Sequence, residues 1–154
     1  MGWLADRWIR AGRSVTLVYK GIMAANHIAG IACMAGMVVL PAAGSVAALF
    51  VFEIISGCSY PGLFAIPQII AGPAATGRWV GIQNAAGNVA GLIAPAITGV
   101  LVDRTGRFDV AFALTALVNL LGLIGWVFIL PKIEPIRWRA VRAGGAPLAT
   151  KVLT

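Results

Sequence analysis

The stretch from Gly81 to Val102, GIQNAAGNVAGLIAPAITGVLV, runs for 22 residues without a charge. At ~1.5 Å per helical residue it is long enough to cross the ~30 Å hydrocarbon core of a bilayer. It is not a plain anchor. Gln83, Asn84 and Asn88 are amides that need a partner or a wet cavity inside lipid. Gly87 and Gly91, four apart, let another helix approach closely. Pro95 is tolerated in a spanning helix where neighbours resatisfy the freed carbonyl. These features describe a helix packed among other helices, with one polar side. The stretch ends on Asp103-Arg104-Thr105-Gly106-Arg107, a charged turn suited to a water interface and read as structural.

Composition excludes a soluble domain. Of 154 residues, 60% are hydrophobic and 11% charged, with a mean hydropathy of +0.91. Soluble proteins carry about 25% charged residues. The net charge of +7 would suit nucleic acid, but the basic residues sit at the ends of apolar runs, as membrane topology requires. No nucleic-acid partner is expected. Cys33 and Cys58 lie inside apolar segments and read as small packing residues, not as a disulfide. One histidine and scattered acids give no metal-ligand spacing. No nucleophile–base pair is visible, and no glycine-rich stretch is flanked by a strand pattern. No enzyme, metal or cofactor is expected.

Along the chain, residues 1–14 form a basic amphipathic opening, expected as a cytoplasmic loop segment. Four spans follow, about 15–40, 45–71, 79–102 and 108–130, so the expected fold is an all-α membrane protein with four transmembrane helices. Pro41 and Gly44 break the first from the second. Pro61 and Pro67 predict kinks in the second, and 72–79 reads as a loop. Pro131 ends the fourth, and 131–154 is a basic, partly disordered tail by composition. This topology puts ten basic residues on one side: Arg7, Arg10, Arg13, Lys20, Arg78, Lys132, Arg137, Arg139, Arg142 and Lys151. Two, Arg104 and Arg107, fall on the other. Both termini are therefore expected to be cytoplasmic.

The chain carries an internal echo. Gly2-Trp-Leu-Ala-Asp-Arg and Gly99-Val-Leu-Val-Asp-Arg share the pattern G-x-L-x-D-R. Three spans separate the copies and place them on opposite faces, as an inverted three-helix repeat would.

The opening GWLADR with its later arginines resembles the cytoplasmic motif between the eighth and ninth helices of the major facilitator superfamily. The run GCSYPGLFAIPQ from Gly57, followed by GRWVGIQNAAGNVAGLIAPAITGVLVDRTGRFDVAFAL, is similar to the tenth through twelfth helices of its anion:cation symporter branch, which holds sialin-like and sugar-acid transporters. The resemblance covers about Gly2 to Arg139. It implies part of a C-terminal bundle, roughly the last four of twelve helices. The partners implied are the missing N-terminal helices, a lipid bilayer (a bacterial inner membrane), a small organic anion, and a coupling ion, proton or sodium.

Glu53 is an acid inside a span, so it is expected to face the bundle interior. It reads either as a proton-coupling or substrate-contacting acid, or as a structural acid bonded to a neighbouring helix. Ser56 and Tyr60 share its face by helical spacing. Gln83, Asn84 and Asn88 are suited to the hydroxyls and carboxylates of a sugar acid, or to interhelical hydrogen bonds. His27, beside Asn26, reads as a packed, hydrogen-bonded histidine. Gly2, Asp6, Arg7 and Arg10 form the conformational motif that the resemblance implies, or a solvated segment that only sets orientation. The leading function is part of an ion-coupled secondary transporter working by alternating access. The alternatives are a self-standing dimeric four-helix exporter, and a non-transporting remnant or assembly subunit.

Overall fold

The computed structural model describes residues 2–138, and every regular element among them is helical. Arg139, Arg142, Lys151 and the rest of the tail after Trp138 lie outside the described residues. Helix α1 is Gly2–Arg10, α2 is Val15–Val39, α3 is Ala42–Thr105 and α4 is Asp109–Ile124. α4 continues as a π-helical turn, Gly125–Ile129. α2, α3, and α4 with its π turn are long and apolar enough to cross a membrane. The chain is an all-α integral membrane protein.

With 64 residues, a straight α3 would reach ~96 Å, about three hydrocarbon thicknesses. It is not straight. The backbone leaves helical dihedrals at Gly72 alone, with φ 63 and ψ 178, a region open essentially to glycine. Pro73 follows. At the first position of a helix a proline lacks only an N–H that would have no partner there. The Thr76 hydroxyl donates to the Gly72 carbonyl at 2.6 Å.

The chain reverses at this point. Gln83 Nε2 donates to the Leu63 carbonyl at 3.1 Å across a sequence separation of 20, which along one straight helix would be ~30 Å. α3 is therefore two limbs, 42–71 and 73–105, and the four expected rods are present. One expectation changes. The loop over 72–79 is a one-residue break. Pro61 and Pro67 keep helical dihedrals within the first limb.

α2 is the element on which the others pack. Its stripe of Tyr19, Met23, Gly30 and Cys33 is buried. Gly62 of the first limb lies under Met23 and Tyr19; a Cβ there would stand 2.9 Å from the Met23 methyl. Cys33 and Cys58 are free thiols. The basic opening is helix α1, not a loop. Its apolar side docks: Ala5 is 2% exposed and clusters with Val18, Tyr19, Met23, Ile66 and Ile133. Asp6, Arg7 and Arg10 stay on the outside.

The described part of the tail, 131–138, is an extended strap pinned at four points, where composition suggested disorder. Ile133 is buried, and its N–H donates to Thr16 Oγ1 at 3.0 Å. The Ile136 N–H donates to the Ile70 carbonyl at 2.8 Å. Trp138 Nε1 donates to the Ala71 carbonyl at 2.7 Å and its ring meets Trp79 edge-on. Ile70 and Ala71 end a limb, where the last helical carbonyls lack partners. Donors on the strap supply them.

Lys20, counted above as a flanking charge, has a more specific role. Its Nζ donates to the Val127 and Leu130 carbonyls at 3.1 and 2.5 Å. An ammonium at a helix C-terminus offsets the negative end of the helix dipole. Replacing Lys20 by Met keeps most of the apolar stem and removes the donors. Unfolding in detergent micelles is expected to become easier by about 1–2 kcal/mol. Unchanged stability would show that water satisfies those carbonyls equally well.

These contacts gather α1, the Gly72 break and the strap at one end of the bundle. The Gly106 turn, with its C-capping φ of 66, lies at the far end of the second limb, and carries the second G-x-L-x-D-R copy with it. There Arg107 and Asp109 form a two-bonded fork, Nε to Oδ1 at 3.0 Å and Nη2 to Oδ2. The carboxylate holds the Arg107 guanidinium above its usual pKa.

Candidate functional site

The polar candidates fall mainly on α3. On its first limb, Phe52, Ile55, Ser59, Gly62 and Ile66 recur at helical spacing and face α2. Helical periodicity puts Glu53 and Tyr60 on the opposite side, with Ser56 on the flank between. Glu53 and Tyr60 are exposed and Ser56 is partly buried. Glu53 therefore faces away from α2, on a side that no described helix covers. The interior side of the limb is filled by apolar and small residues. Glu53 shares the outer side with Phe50, Gly57 and Phe64.

On the second limb, Gln83 separates from its neighbours. Its amide is spent on the Leu63 carbonyl, holding the two limbs together. It lines a groove of about 530 Å³ with Ile66, Pro67, Ile70, Trp79 and Trp126, a surface with little to offer a charged solute. Asn84 and Asn88 share an exposed face, and Asn88 Nδ2 donates to the Asn84 carbonyl at 2.8 Å. Exposed residues dominate this limb from Gly81 to Thr105. The structure thus joins Gln83 to the first limb and leaves Glu53, Tyr60, Asn84 and Asn88 on surfaces that no described helix covers.

These groups supply one carboxylate, one phenol and two amides. No lysine or arginine occurs between Lys20 and Arg78, or between Arg78 and Arg104. A bound anion would meet hydrogen-bond donors here but no cation at mid-span.

The motif residues stand on α1. Gly2 sits near Pro61, where a Cβ would meet that ring at 3.9 Å. The Arg7 guanidinium lies 5.5 Å from the Trp3 ring centroid, and Arg10 Nε donates to the Asp6 main-chain carbonyl at 3.3 Å. Asp6 forms no ion pair among the described residues.

His27 is packed and hydrogen-bonded, as expected. Asn119 of α4 donates through Nδ2 to the Thr115 carbonyl at 3.0 Å, which leaves its Oδ1 to accept from His27 Nδ1 at 3.2 Å. Asn26 Oδ1 is buried without a partner among the described residues. The partnership between His27 and Asn119 was not evident from sequence spacing. Its signal lay in two glycines, Gly30 and Gly122, placed on α2 and α4 where each faces a bulky polar side chain.

No family model matches the chain, and no solved structure matches it significantly. Three curated relatives do. One is the uncharacterized transporter YybO of Bacillus subtilis (strain 168), 30% identical over 139 residues, covering 88% of this chain and 32% of that protein. Another is the probable sulfoacetate transporter SauU of Cupriavidus necator, 35% identical over 69 residues, 45% of this chain and 16% of that protein. A third is the chloroplastic ascorbate transporter of Arabidopsis thaliana, 32% identical over 127 residues, 81% of this chain and 23% of that protein. The chain spans a third or less of the length of these relatives. Their names are those of transporters, not enzymes, and the likeness supports a role in membrane transport.

Proposed function

We propose that the chain supplies part of the C-terminal bundle of a secondary transporter of the major facilitator superfamily, in its anion:cation symporter branch. It moves a small organic anion, such as a sugar acid or carboxylate, by alternating access driven by a proton or sodium gradient. The observation that carries this reading is the uncovered polar side of α3. Once α2 and α4 have packed, Glu53, Tyr60, Asn84 and Asn88 still lack a cover. Ionisable and amide side chains are expensive against lipid, so such a side belongs to a water-filled path or to further helices.

Sulfoacetate and ascorbate, named for two relatives, are both organic anions, which supports that substrate class. With no mid-span lysine or arginine in these helices, the counter-charge in this reading comes from the remaining helices of the transporter. Those helices also supply the second bundle against which this one rocks. The charge distribution favours cytoplasmic termini, and the bacterial relatives favour an inner-membrane location.

The test is Glu53→Gln in the full transporter that carries these helices. Uptake of a radiolabelled organic acid into proteoliposomes is expected to lose its dependence on pH. Uptake that follows the wild-type profile at every pH would remove Glu53 from the coupling step.

A further inference from the structure

A second groove, of about 380 Å³, lies where α1, α2 and the first limb of α3 meet. Trp8 and Arg13 form its mouth, with the Arg13 guanidinium carbon 5.9 Å from the Trp8 ring centroid. Arg13 is exposed and pairs with no carboxylate among the described residues. Arg7 and Arg10 do not line the groove, so among the arginines of this end Arg13 is the cation presented at its mouth.

Below the mouth the wall is Leu17, Gly21 and Ala25 of α2, faced by Ile55. Ser59 brings the only hydroxyl, and it already donates to the Ser56 carbonyl at 2.7 Å. Gly21 keeps the floor open, since a Cβ there would meet nothing within 4 Å. From Leu17 to Ala25 the groove descends ~12 Å, most of the depth of one leaflet of the ~30 Å hydrocarbon core. Tryptophan at the mouth suits the headgroup level.

We propose that this groove is a lipid site. One acyl chain of an anionic phospholipid lies along Gly21 and Ala25, and its phosphate rests on Arg13. The wall excludes a water-soluble anion, whose other polar groups would find no partner below the mouth. Charge complementarity selects an anionic headgroup over a zwitterionic one. One basic residue near the surface is enough for a preference of about fivefold. The inference rests on membrane insertion and is independent of the transport reading.

The experiment uses the purified chain in phosphatidylcholine nanodiscs. Phosphatidylglycerol or phosphatidylcholine, brominated near the top of one acyl chain, is titrated in while tryptophan fluorescence is read. The difference between wild type and Trp8→Phe isolates the Trp8 signal from the other tryptophans. Half-quenching by phosphatidylglycerol is expected at about a fivefold lower mole fraction than by phosphatidylcholine. Arg13→Gln should abolish that preference. Gly21→Leu, whose Cβ would meet no atom within 4 Å, should block quenching by both lipids with helicity unchanged by circular dichroism. Equal quenching by the two lipids in wild type, or a preference that survives Arg13→Gln, overturns the proposal. Loss of the preference in millimolar inorganic phosphate would reveal a soluble-anion site and overturn it too.

Discussion

Alanine at position 72 is expected to destabilise the chain by about 1–3 kcal/mol in detergent-micelle unfolding, a loss that comes from the backbone alone. Gly72 holds φ 63 and ψ 178, and a Cβ built there would touch nothing within 4 Å. There is no steric neighbour to blame. The cost is that of forcing an L-residue into a conformation that glycine alone occupies readily. The consequence reaches the site, because the reversal at Gly72 brings Gln83 to Leu63 and sets the two polar limbs side by side.

Gly77→Ala is the matched control. Gly77 is helical and its Cβ would also meet nothing. Alanine there should be neutral or stabilising by up to about 1 kcal/mol, since glycine is a poor helix former. Equal effects at 72 and 77 would show that the positive φ is not what shapes the break.

Much of this architecture was legible because lipid imposes simple rules. An uncharged run from Gly81 to Val102 has few folded states available to it, and Pro41, Gly106 and Pro131 mark ends that the helices respect within a few residues. The break between the limbs was less legible. The sequence spread it over a loop of 72–79, but Pro73 fixes φ near the helical value and lets a helix start at once, as Pro61 and Pro67 let one continue at the cost of one hydrogen bond. A glycine before a proline can do what a proline cannot, which is to reverse the sign of φ.

The strap was hidden for a different reason. Its hold comes from the main-chain donor of Ile133 to α2, and from the main-chain donor of Ile136 and one indole N–H to α3, and none of these has a periodic signature. At the candidate site, residue types were readable and directions were not. Glu53 and Gln83 were grouped as polar residues of neighbouring helices. The fold spends Gln83 on joining the limbs and leaves Glu53 on the uncovered side.

Alanine at position 122 is expected to disrupt the seam between α2 and α4 more than its single added methyl suggests. A Cβ there would stand 2.5 Å from His27 Cε1, 2.9 Å from Nε2 and 3.0 Å from Nδ1. The obstacle is a rigid ring wedged between two helices, and not the loose end of a long side chain. Relief requires the ring to turn, which breaks its bond to Asn119 Oδ1. It cannot turn freely on the other side, where Gly30 already gives the Asn119 amide just enough room; a Cβ at 30 would stand 2.6 Å from that same Oδ1. Overpacking costs about 1–3 kcal/mol, and loss of the interhelical bond adds about 0.6–1.7 kcal/mol. The decisive measurement is a double-mutant cycle with His27→Ala. If the clash with the imidazole is the mechanism, Gly122→Ala is nearly harmless once the ring is gone, and the two changes are strongly non-additive. Additive losses would mean that Gly122 matters for helix approach in general, and that the histidine is a bystander.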